Sequence, residues 1–212
     1  MISIIDYEAG NLKSVERALK KLGFACIITQ NKEEINRSER IIFPGVGAAG
    51  KAIADLRRLG LDNVLIKAFE EGKPILGICL GAQIILEKSE ENLTKCLGLI
   101  PGEVRLFPRP LFSSDKERLK IPHMGWNGIE IIKRHPVLNG VGPDDEFYFV
   151  HSYYVKPASD EYLIGVTEYG IEFCSIIGYR NLIAVQFHLE KSGSPGLRIL
   201  KNFCKWDGTY NA

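Results

Sequence analysis

Residues 1–90 alternate short apolar runs with segments whose apolar residues recur at helical spacing. The runs at 3–5, 25–29, 40–43 and 75–78 are predicted strands, and helices are predicted over 50–59, over 61–71 and after residue 79. A further helix follows Asn11, which is placed to cap it, and ends at Gly23. The face that this helix would bury consists of Leu12, Val15, Ala18, Leu19 and Leu22. The alternation predicts a parallel sheet that helices cover on both faces.

The second half of the chain carries strand-like runs at close intervals, and few helical patterns separate them. The runs lie at 104–107, 129–132, 147–150, 162–167, 173–177 and 182–187. Such close spacing favours antiparallel pairing. The polar segment 108–120 is predicted to be an exposed loop, and 195–205 a final helix. We therefore predict a single α/β domain over residues 1–212, with a central mixed, mostly parallel sheet flanked by helices.

Composition and charge narrow the functional classes. Of the residues, 45% are hydrophobic and 25% are charged, and the formal net charge is +1, which gives no reason to expect nucleic acid or a membrane as partner. No apolar run approaches the roughly 20 residues that span a bilayer, and we expect no secretory signal. The five cysteines lack metal-ligand spacing, so neither a metal site nor a disulfide framework is predicted. A cytoplasmic location fits these features best.

One cysteine lies in a pattern typical of a nucleophile. Cys79 stands between Gly77 and Gly81, where the predicted strand 75–78 passes into a helix. A tight turn of this kind pushes its central side chain out of the sheet edge, and the helix that follows favours a thiolate. The backbone N–H of Leu80 then points to where an oxyanion could form. The same pattern equally fits a small cysteine packed between strand and helix.

A thiol nucleophile needs a general base, and the base needs a group that orients it. Of the four histidines, His188 stands out because it ends the apolar run 184–187, and Glu190 follows two positions later. In an extended chain, residues two positions apart project to the same side. Glu190 could then accept a hydrogen bond from one ring nitrogen of His188 while the other nitrogen faces Cys79. A surface histidine and a solvated glutamate at the end of a strand would show the same spacing without any catalytic role.

The two segments that carry these residues resemble the triad-type, or class I, glutamine amidotransferase family. They read Gly-Ile-Cys-Leu-Gly-Ala-Gln at 77–83 and Gln-Phe-His-Leu-Glu-Lys-Ser at 186–192. Further motifs resemble the branch of that family that serves the histidine pathway; they lie at 6–7, 10–12, 14–15, 44–47, 122–127 and 150–154. The likeness covers essentially the whole chain in collinear order.

The resemblance implies a role for each residue of the two segments. Cys79 would attack the side-chain amide of glutamine and form a glutamyl thioester, His188 would transfer the protons, and Glu190 would orient His188. The N–H of Leu80 and an N–H near Val46 and Gly47 would hold the oxyanion, because glycine lets the peptide turn toward the site. The resemblance places glutamine against Gly47, Gln83, Glu91, His151, Ser152 and Tyr153. It implies no cofactor.

The resemblance also implies a protein partner, a synthase and cyclase subunit built as an eight-stranded α/β barrel. Ammonia released into water at pH 7 is largely protonated and no longer nucleophilic, so the barrel would receive it through its core. The expected assembly is a heterodimer, and the residues implied to face the barrel are Asn11, Met124, Trp126, Asn127 and Lys191. From composition alone, Trp126 fits an interface anchor and a half-buried core tryptophan equally well.

Two positions depart from the family pattern. The usual His-Pro-Glu is here His188, Leu189 and Glu190, and leucine sets the position of Glu190 less rigidly than proline would. Glu8 stands where glycine is more usual. These departures leave open a paralogue that supplies ammonia for the amidination of a surface-polysaccharide sugar.

Three alternatives belong to other functional classes. Gly45, Gly47 and Gly50 match the dinucleotide-binding fingerprint, but the acidic pair 70–71 at the required distance ends a predicted helix rather than a strand. An α/β-hydrolase orders its triad as nucleophile, acid and histidine, whereas the acid follows the histidine here. A non-enzymatic binding subunit would have no need of Cys79, His188 and Glu190 together.

Overall fold

The computed structural model describes residues 1–210. In its N-terminal part, buried strands alternate with helices, as the apolar periodicity predicts. The strands are β1 (Ile2–Ile5), β2 (Cys26–Thr29), β3 (Arg40–Gly45) and β4 (Ile75–Cys79). The helices are α1 (Leu12–Lys21), α2 (Lys32–Arg37), α3 (Ala49–Leu59), α4 (Leu61–Glu70) and α5 (Leu80–Ile84).

The remaining part consists mainly of strands. They are β5 (Lys88–Ser89), β6 (Thr94–Lys95), β7 (Gly102–Leu106), β8 (His123–Gly128), β9 (Glu130–Ile131), β10 (Glu146–His151), β11 (Tyr153–Pro157), β12 (Leu163–Glu168), β13 (Glu172–Tyr179) and β14 (Leu182–Val185). Short 3₁₀ turns cover Glu91–Leu93, Pro136–Leu138, Asp160–Tyr162 and Leu189–Lys191. The last helix is α6 (Gly193–Lys205).

Twelve of these strands form one mixed sheet. Strands β2, β1, β3, β4 and β14 follow one another in parallel, and the order continues through β13, β11, β7, β5 and β6. Strand β12 also pairs with β13, and β9 pairs with β12. Strands β8 and β10 form a separate antiparallel pair. The predicted α/β domain with a central mixed sheet flanked by helices is confirmed, and the predicted parallel order holds for the five strands β2, β1, β3, β4 and β14, whereas most of the other pairings are antiparallel.

The parallel register determines what lies at the carboxyl edge of the sheet. Gly45 of β3 is the register partner of Cys79 of β4, and Val185 of β14 is the partner of Ile78. The segments that follow these three strands are therefore brought side by side. Functional groups of parallel sheets collect at this edge, since the strand ends present their loops there.

Strand β4 lies at the centre of the molecule and is buried along its whole length. Leu76 and Ile78 belong to the apolar cluster shared with α1 and α6, whereas Ile75 belongs to the cluster shared with α3 and α4. A strand covered on both faces requires a nearly continuous apolar sequence, which explains the run at 75–78. The packing on both sides holds the carboxyl end of β4 in place.

Several local predictions need correction. Helix α2 and strands β8 and β11 were not predicted: α2 buries only Ile35, and the glycines at 125 and 128 interrupt the apolar pattern of β8. The predicted strand 129–132 is reduced to two residues. Asn11 precedes α1 but does not cap it, since its backbone is left-handed and its side chain makes no capping hydrogen bond. The 108–120 segment is mostly exposed, as predicted, although Leu111 is buried.

Within residues 1–210, no helix has both the length and the apolar character that crossing a membrane requires.

Candidate active site

Cys79 occupies the sharp junction between β4 and α5, as the sequence predicts. Its backbone has φ 53° and ψ −106°, a conformation that costs free energy for a residue with a side chain and is typical of functional sites. Both flanking glycines are required here. A β-carbon on Gly81 would overlap the carbonyl oxygen of Phe43, and one on Gly77 would lie 2.8 Å from the β-carbon of Ala184. Helix α5 has only five residues, so its dipole contributes less than a full helix would.

His188 and Glu190 form the buried pair that the sequence predicts, but through a different backbone. The Nδ1 atom of His188 lies 2.8 Å from Oε1 of Glu190, and both side chains are almost completely buried. Strand β14 ends at Val185, and Glu190 lies in the 3₁₀ turn Leu189–Lys191. The expectation of extended backbone between the two residues is therefore wrong; a tight turn brings them together.

The environment of His188 favours its protonated form. Burial of the ring disfavours the charge, but Cys79 and Glu190 outweigh that cost and raise the pKa of His188 to about 9. The Nε2 atom is buried and has no hydrogen-bond partner among the described residues. This nitrogen is the one left free for chemistry, because Nδ1 is held by Glu190.

Asn11 orients the acid of this group instead of capping α1. Its side-chain amide donates a short hydrogen bond to Oε1 of Glu190, the same oxygen that faces Nδ1 of His188. Leu189, which stands where the family usually has proline, does not leave Glu190 loosely positioned. Leu189 is fully buried in the core, and the N–H of Lys191 donates to the carbonyl of His188 at 3.1 Å. Burial and turn geometry thus hold Glu190 without a proline.

Ser192 ties the histidine to the neighbouring strand pair, a role that the sequence did not reveal. Its hydroxyl donates to the carbonyl of His188 and accepts from the N–H of Tyr148 at 3.0 Å. The N–H of His188 in turn donates to the carbonyl of Tyr148 at 2.9 Å. Strand β10 therefore fixes the backbone at His188.

A cavity of about 370 Å³ opens beside Cys79. His188 lines it, as do all residues predicted to hold the oxyanion or the substrate: Val46, Gly47, Leu80, Gln83, Glu91, His151, Ser152 and Tyr153. Gly47 has φ 104°, which other residues rarely adopt. A larger groove of about 960 Å³, along segments 109–111 and 118–122, shares only Pro122 with this cavity and is lined by none of the predicted catalytic, oxyanion or substrate residues. The fold thus gathers the predicted site residues around one cavity.

A hydrogen-bond network connects the wall of this cavity to the thiol. The amide of Gln83 donates to the carbonyl of Tyr153 at 3.0 Å and to Oε1 of Gln186 at 3.1 Å. The Nε2 atom of Gln186 lies 3.9 Å from Sγ of Cys79. Gln186 is a contact of the candidate nucleophile that the sequence analysis missed, although it begins the motif at 186–192.

The glycine-rich segment after β3 is occupied in a way that argues against dinucleotide binding. A dinucleotide fingerprint presents the N-terminus of its helix to a pyrophosphate. Here the N–H of Ala49, the first residue of α3, donates to Oε2 of Glu91 at 2.6 Å. A carboxylate of the chain itself therefore takes the place that the pyrophosphate would need. Within the described part of the chain, no three side chains are grouped to hold a metal ion.

Three of the predicted partner residues lie on one surface. Met124 and Trp126 of β8 are 61% and 53% exposed, and Trp126 belongs to neither apolar cluster of the core, so the alternative of a core tryptophan is wrong. Trp126 is the register partner of Tyr148, and Nζ of Lys191 lies 5.5 Å above the Tyr148 ring. We name Met124, Trp126, Tyr148 and Lys191 the β8 face. The amide of Asn127 instead donates to the carbonyl of Glu168, and Asn11 is turned toward Glu190.

Comparison with known structures supports the fold. The chain superposes on a crystal structure of glutamine amidotransferase with a TM-score of 0.72 and 18% identity, over 96% of this chain and 98% of that one. The glutaminase domain of Trypanosoma brucei CTPS with bound acivicin gives a TM-score of 0.64 at 15% identity, over 99% of this chain and 96% of that one.

Comparison of sequences shows the family. The model of the family "Glutamine amidotransferase class-I" matches residues 3–206. The imidazole glycerol phosphate synthase subunit HisH of Nitratidesulfovibrio vulgaris is 52% identical, over 97% of this chain and 96% of its own length. The subunit HisH 1 of Pseudomonas aeruginosa is 41% identical, over 99% of this chain and 98% of its own length. The chain therefore belongs to the class-I glutamine amidotransferase family of enzymes, in the branch of the HisH subunits.

Proposed function

We propose that this chain is the glutaminase subunit of an imidazole glycerol phosphate synthase and that it hydrolyses L-glutamine through Cys79, His188 and Glu190. One observation carries the proposal: the strained Cys79 and the buried His188–Glu190 pair meet at a single cavity. The high identity to HisH subunits favours the histidine pathway over amidination of a sugar.

In the proposed reaction His188 acts first as a general acid and then as a general base. The thiolate of Cys79, whose proton is held by His188, attacks the side-chain amide carbon of glutamine, and His188 donates its Nε2 proton to the departing ammonia. The product on the enzyme is a glutamyl thioester. His188 then takes a proton from water, the resulting hydroxide attacks the thioester carbon, and glutamate leaves as the thiolate of Cys79 and protonated His188 are restored. Glu190 keeps the imidazole oriented and favours its charged form in both halves of the reaction.

The cavity supplies the remaining contacts that this reaction needs. We assign the oxyanion of the tetrahedral intermediates to the N–H of Leu80 and to an N–H of the Val46–Gly47 segment. Glu91 is the acidic group of the cavity, so we assign it to the amino group of glutamine. The other substrate contacts come from Gly47, Gln83, His151, Ser152 and Tyr153.

The ammonia has to reach its acceptor without escaping into water. We propose that a synthase and cyclase subunit with an eight-stranded α/β barrel docks on the β8 face and receives it, yielding imidazole glycerol phosphate and AICAR. Two exposed apolar side chains next to a tyrosine and a lysine form the kind of centre that protein interfaces use. The backbone hydrogen bond between Tyr148 and His188 connects this face to the proposed catalytic histidine, which supports docking here.

Replacement of Cys79 by alanine tests the nucleophile. With the barrel partner present, C79A is expected to lower the rate of glutamate release by more than about a thousandfold, because no other thiol among the described residues lines the cavity. C96A, which removes another buried thiol, serves as the matched control and should retain the wild-type rate. Similar rates for C79A and the wild type would refute the assignment.

Replacement of Glu190 by glutamine tests the role of the buried acid through pH. His188 must carry a proton at the start of the reaction, so kcat/KM should fall as pH rises through about 9. E190Q keeps an oxygen that can accept from Nδ1 of His188 but removes the negative charge that helps to raise the pKa of His188. The fall in kcat/KM should therefore begin about one pH unit lower or more. The amino group of glutamine titrates in both proteins alike, which makes the difference between them diagnostic. E33Q, a change on the exposed surface of α2, is the control; identical profiles for E190Q and wild type would contradict the role.

Replacement of Trp126 by alanine tests the docking surface. Loss of a central aromatic anchor is expected to weaken binding of the barrel partner by about thirtyfold or more, measured by calorimetric titration. F112A provides the control, because Phe112 is a similarly exposed ring, at 47%, outside the β8 face. Circular dichroism checks that both variants are folded. Equal affinities for W126A and F112A would place the partner elsewhere.

A further inference from the structure

Behind the cavity wall lies a second buried histidine to which the proposed reaction gives no role. His151 lines the cavity, whereas His123 does not, and the two side chains are register partners at one end of the β8–β10 pair. The Nδ1 atom of His123 lies 3.1 Å from Nε2 of His151. Both residues are buried, so neither ring exchanges this contact for water.

The partners of the two rings determine which nitrogen carries each proton. Burial lowers the pKa of His123 to about 4 and that of His151 to about 3, so both rings are neutral at pH 7. The Nδ1 atom of His151 lies 2.8 Å from the carbonyl oxygen of Tyr153, which can only accept. His151 must therefore donate from Nδ1 and present a lone pair on Nε2.

The proton on Nδ1 of His151 also determines the protonation of His123. Since Nε2 of His151 is an acceptor, Nδ1 of His123 must carry the proton that fills the 3.1 Å contact. The Nε2 atom of His123 is then an acceptor, and the side-chain amide of Asn127 lies 3.4 Å from it. Asn127 therefore donates to His123, His123 donates to His151, and His151 donates to the carbonyl of Tyr153 at the cavity. That carbonyl also accepts from Gln83, which contacts Gln186 beside the thiol.

Packing fixes the ring of His123 as firmly as its hydrogen bonds do. It stacks on Tyr169 with centroids 3.9 Å apart and on Phe149 at 4.8 Å. A ring held between two aromatic planes cannot turn to another partner without losing these contacts. His123 thus presents its donor to His151 in one direction only.

We propose that His123 is a positioning residue: its Nδ1–H holds the imidazole of His151, and through it the carbonyl of Tyr153, in the arrangement that binds glutamine. His123 touches neither glutamine nor Cys79, so its effect passes through His151. The inference rests on the proposed glutaminase function. It also gives strand β8 a hydrogen-bonded connection to the substrate cavity, since Asn127 and His123 both belong to that strand.

Three variants in the complex with the barrel partner separate this role from a purely structural one. H123F keeps an aromatic ring between Tyr169 and Phe149 but removes the donor, so the KM for glutamine should rise about tenfold, with kcat within about twofold. H123N loses the ring but restores an N–H near the position of Nδ1, and its KM should stay within about threefold of wild type. H135F alters a histidine that is equally buried, against Trp206 and Tyr210, and should leave KM unchanged.

The outcomes that overturn the inference are distinct. An unchanged KM in H123F, or equal increases in H123F and H123N, would mean that the donor does not matter. A similar increase in H135F would reduce the effect to a general loss of stability, which thermal unfolding of all three variants would reveal. A wild-type complex that releases no glutamate would instead refute the proposed glutaminase function.

A spectroscopic measurement keeps the inference testable even if H123F does not fold or the complex is inactive. In ¹⁵N-histidine NMR spectra of the wild-type chain, both His123 and His151 should be neutral and protonated at Nδ1, which is the minor tautomer of imidazole in water. His135 accepts at Nδ1 from the N–H of Val137 and should show the opposite tautomer. A proton on Nε2 of His151 would overturn the inference.

Discussion

The tight packing of the turn at Cys79 is the constraint on which the rest of the site depends. Gly77 of β4 fits against Ala184 of β14, and Gly81 of α5 fits against the backbone of β3, so the chain on either side of Cys79 can approach both neighbouring strands only because these positions lack side chains. The same approach holds Cys79 in a conformation that an exposed loop would relax. Burial of β4 on both faces provides the free energy that maintains it.

From this constraint the position of the other groups follows. The parallel register places the end of β3 opposite Cys79 and the end of β14 beside it, so the Val46–Gly47 segment and His188 approach Cys79 from two sides. The antiparallel part then contributes the wall, through His151 and the residues that follow it. Glu190 and His188 share a buried contact, and the amide of Asn11, just before α1, donates to the same carboxylate oxygen. A buried carboxylate without such partners would be costly.

The sequence predicts those features that depend on interactions between residues close together in the chain. Periodicity predicted β4 and α1, and the two glycines around Cys79 predicted a turn that only glycine permits. The sequence misleads where a contact between distant residues replaces a local one. Asn11 is suited to capping a helix, yet its side-chain amide donates to Glu190, near the other end of the chain. The backbone between His188 and Glu190 is a 3₁₀ turn because Leu189 is drawn into the core, which spacing alone does not reveal. His123, Gln186 and Ser192 lie within the motifs 122–127 and 186–192, but their hydrogen bonds to distant residues cannot be read from those motifs.

The central claim, that Cys79 is the nucleophile of a glutamine-binding cavity, is tested most directly by covalent trapping. The chain is incubated with a chloroketone analogue of glutamine and the modified peptides are identified by mass spectrometry. We predict one equivalent of label on Cys79, none on Cys26, Cys96, Cys174 or Cys204, and protection by excess glutamine. Label on another cysteine, or label on Cys79 that glutamine does not reduce, would contradict the account.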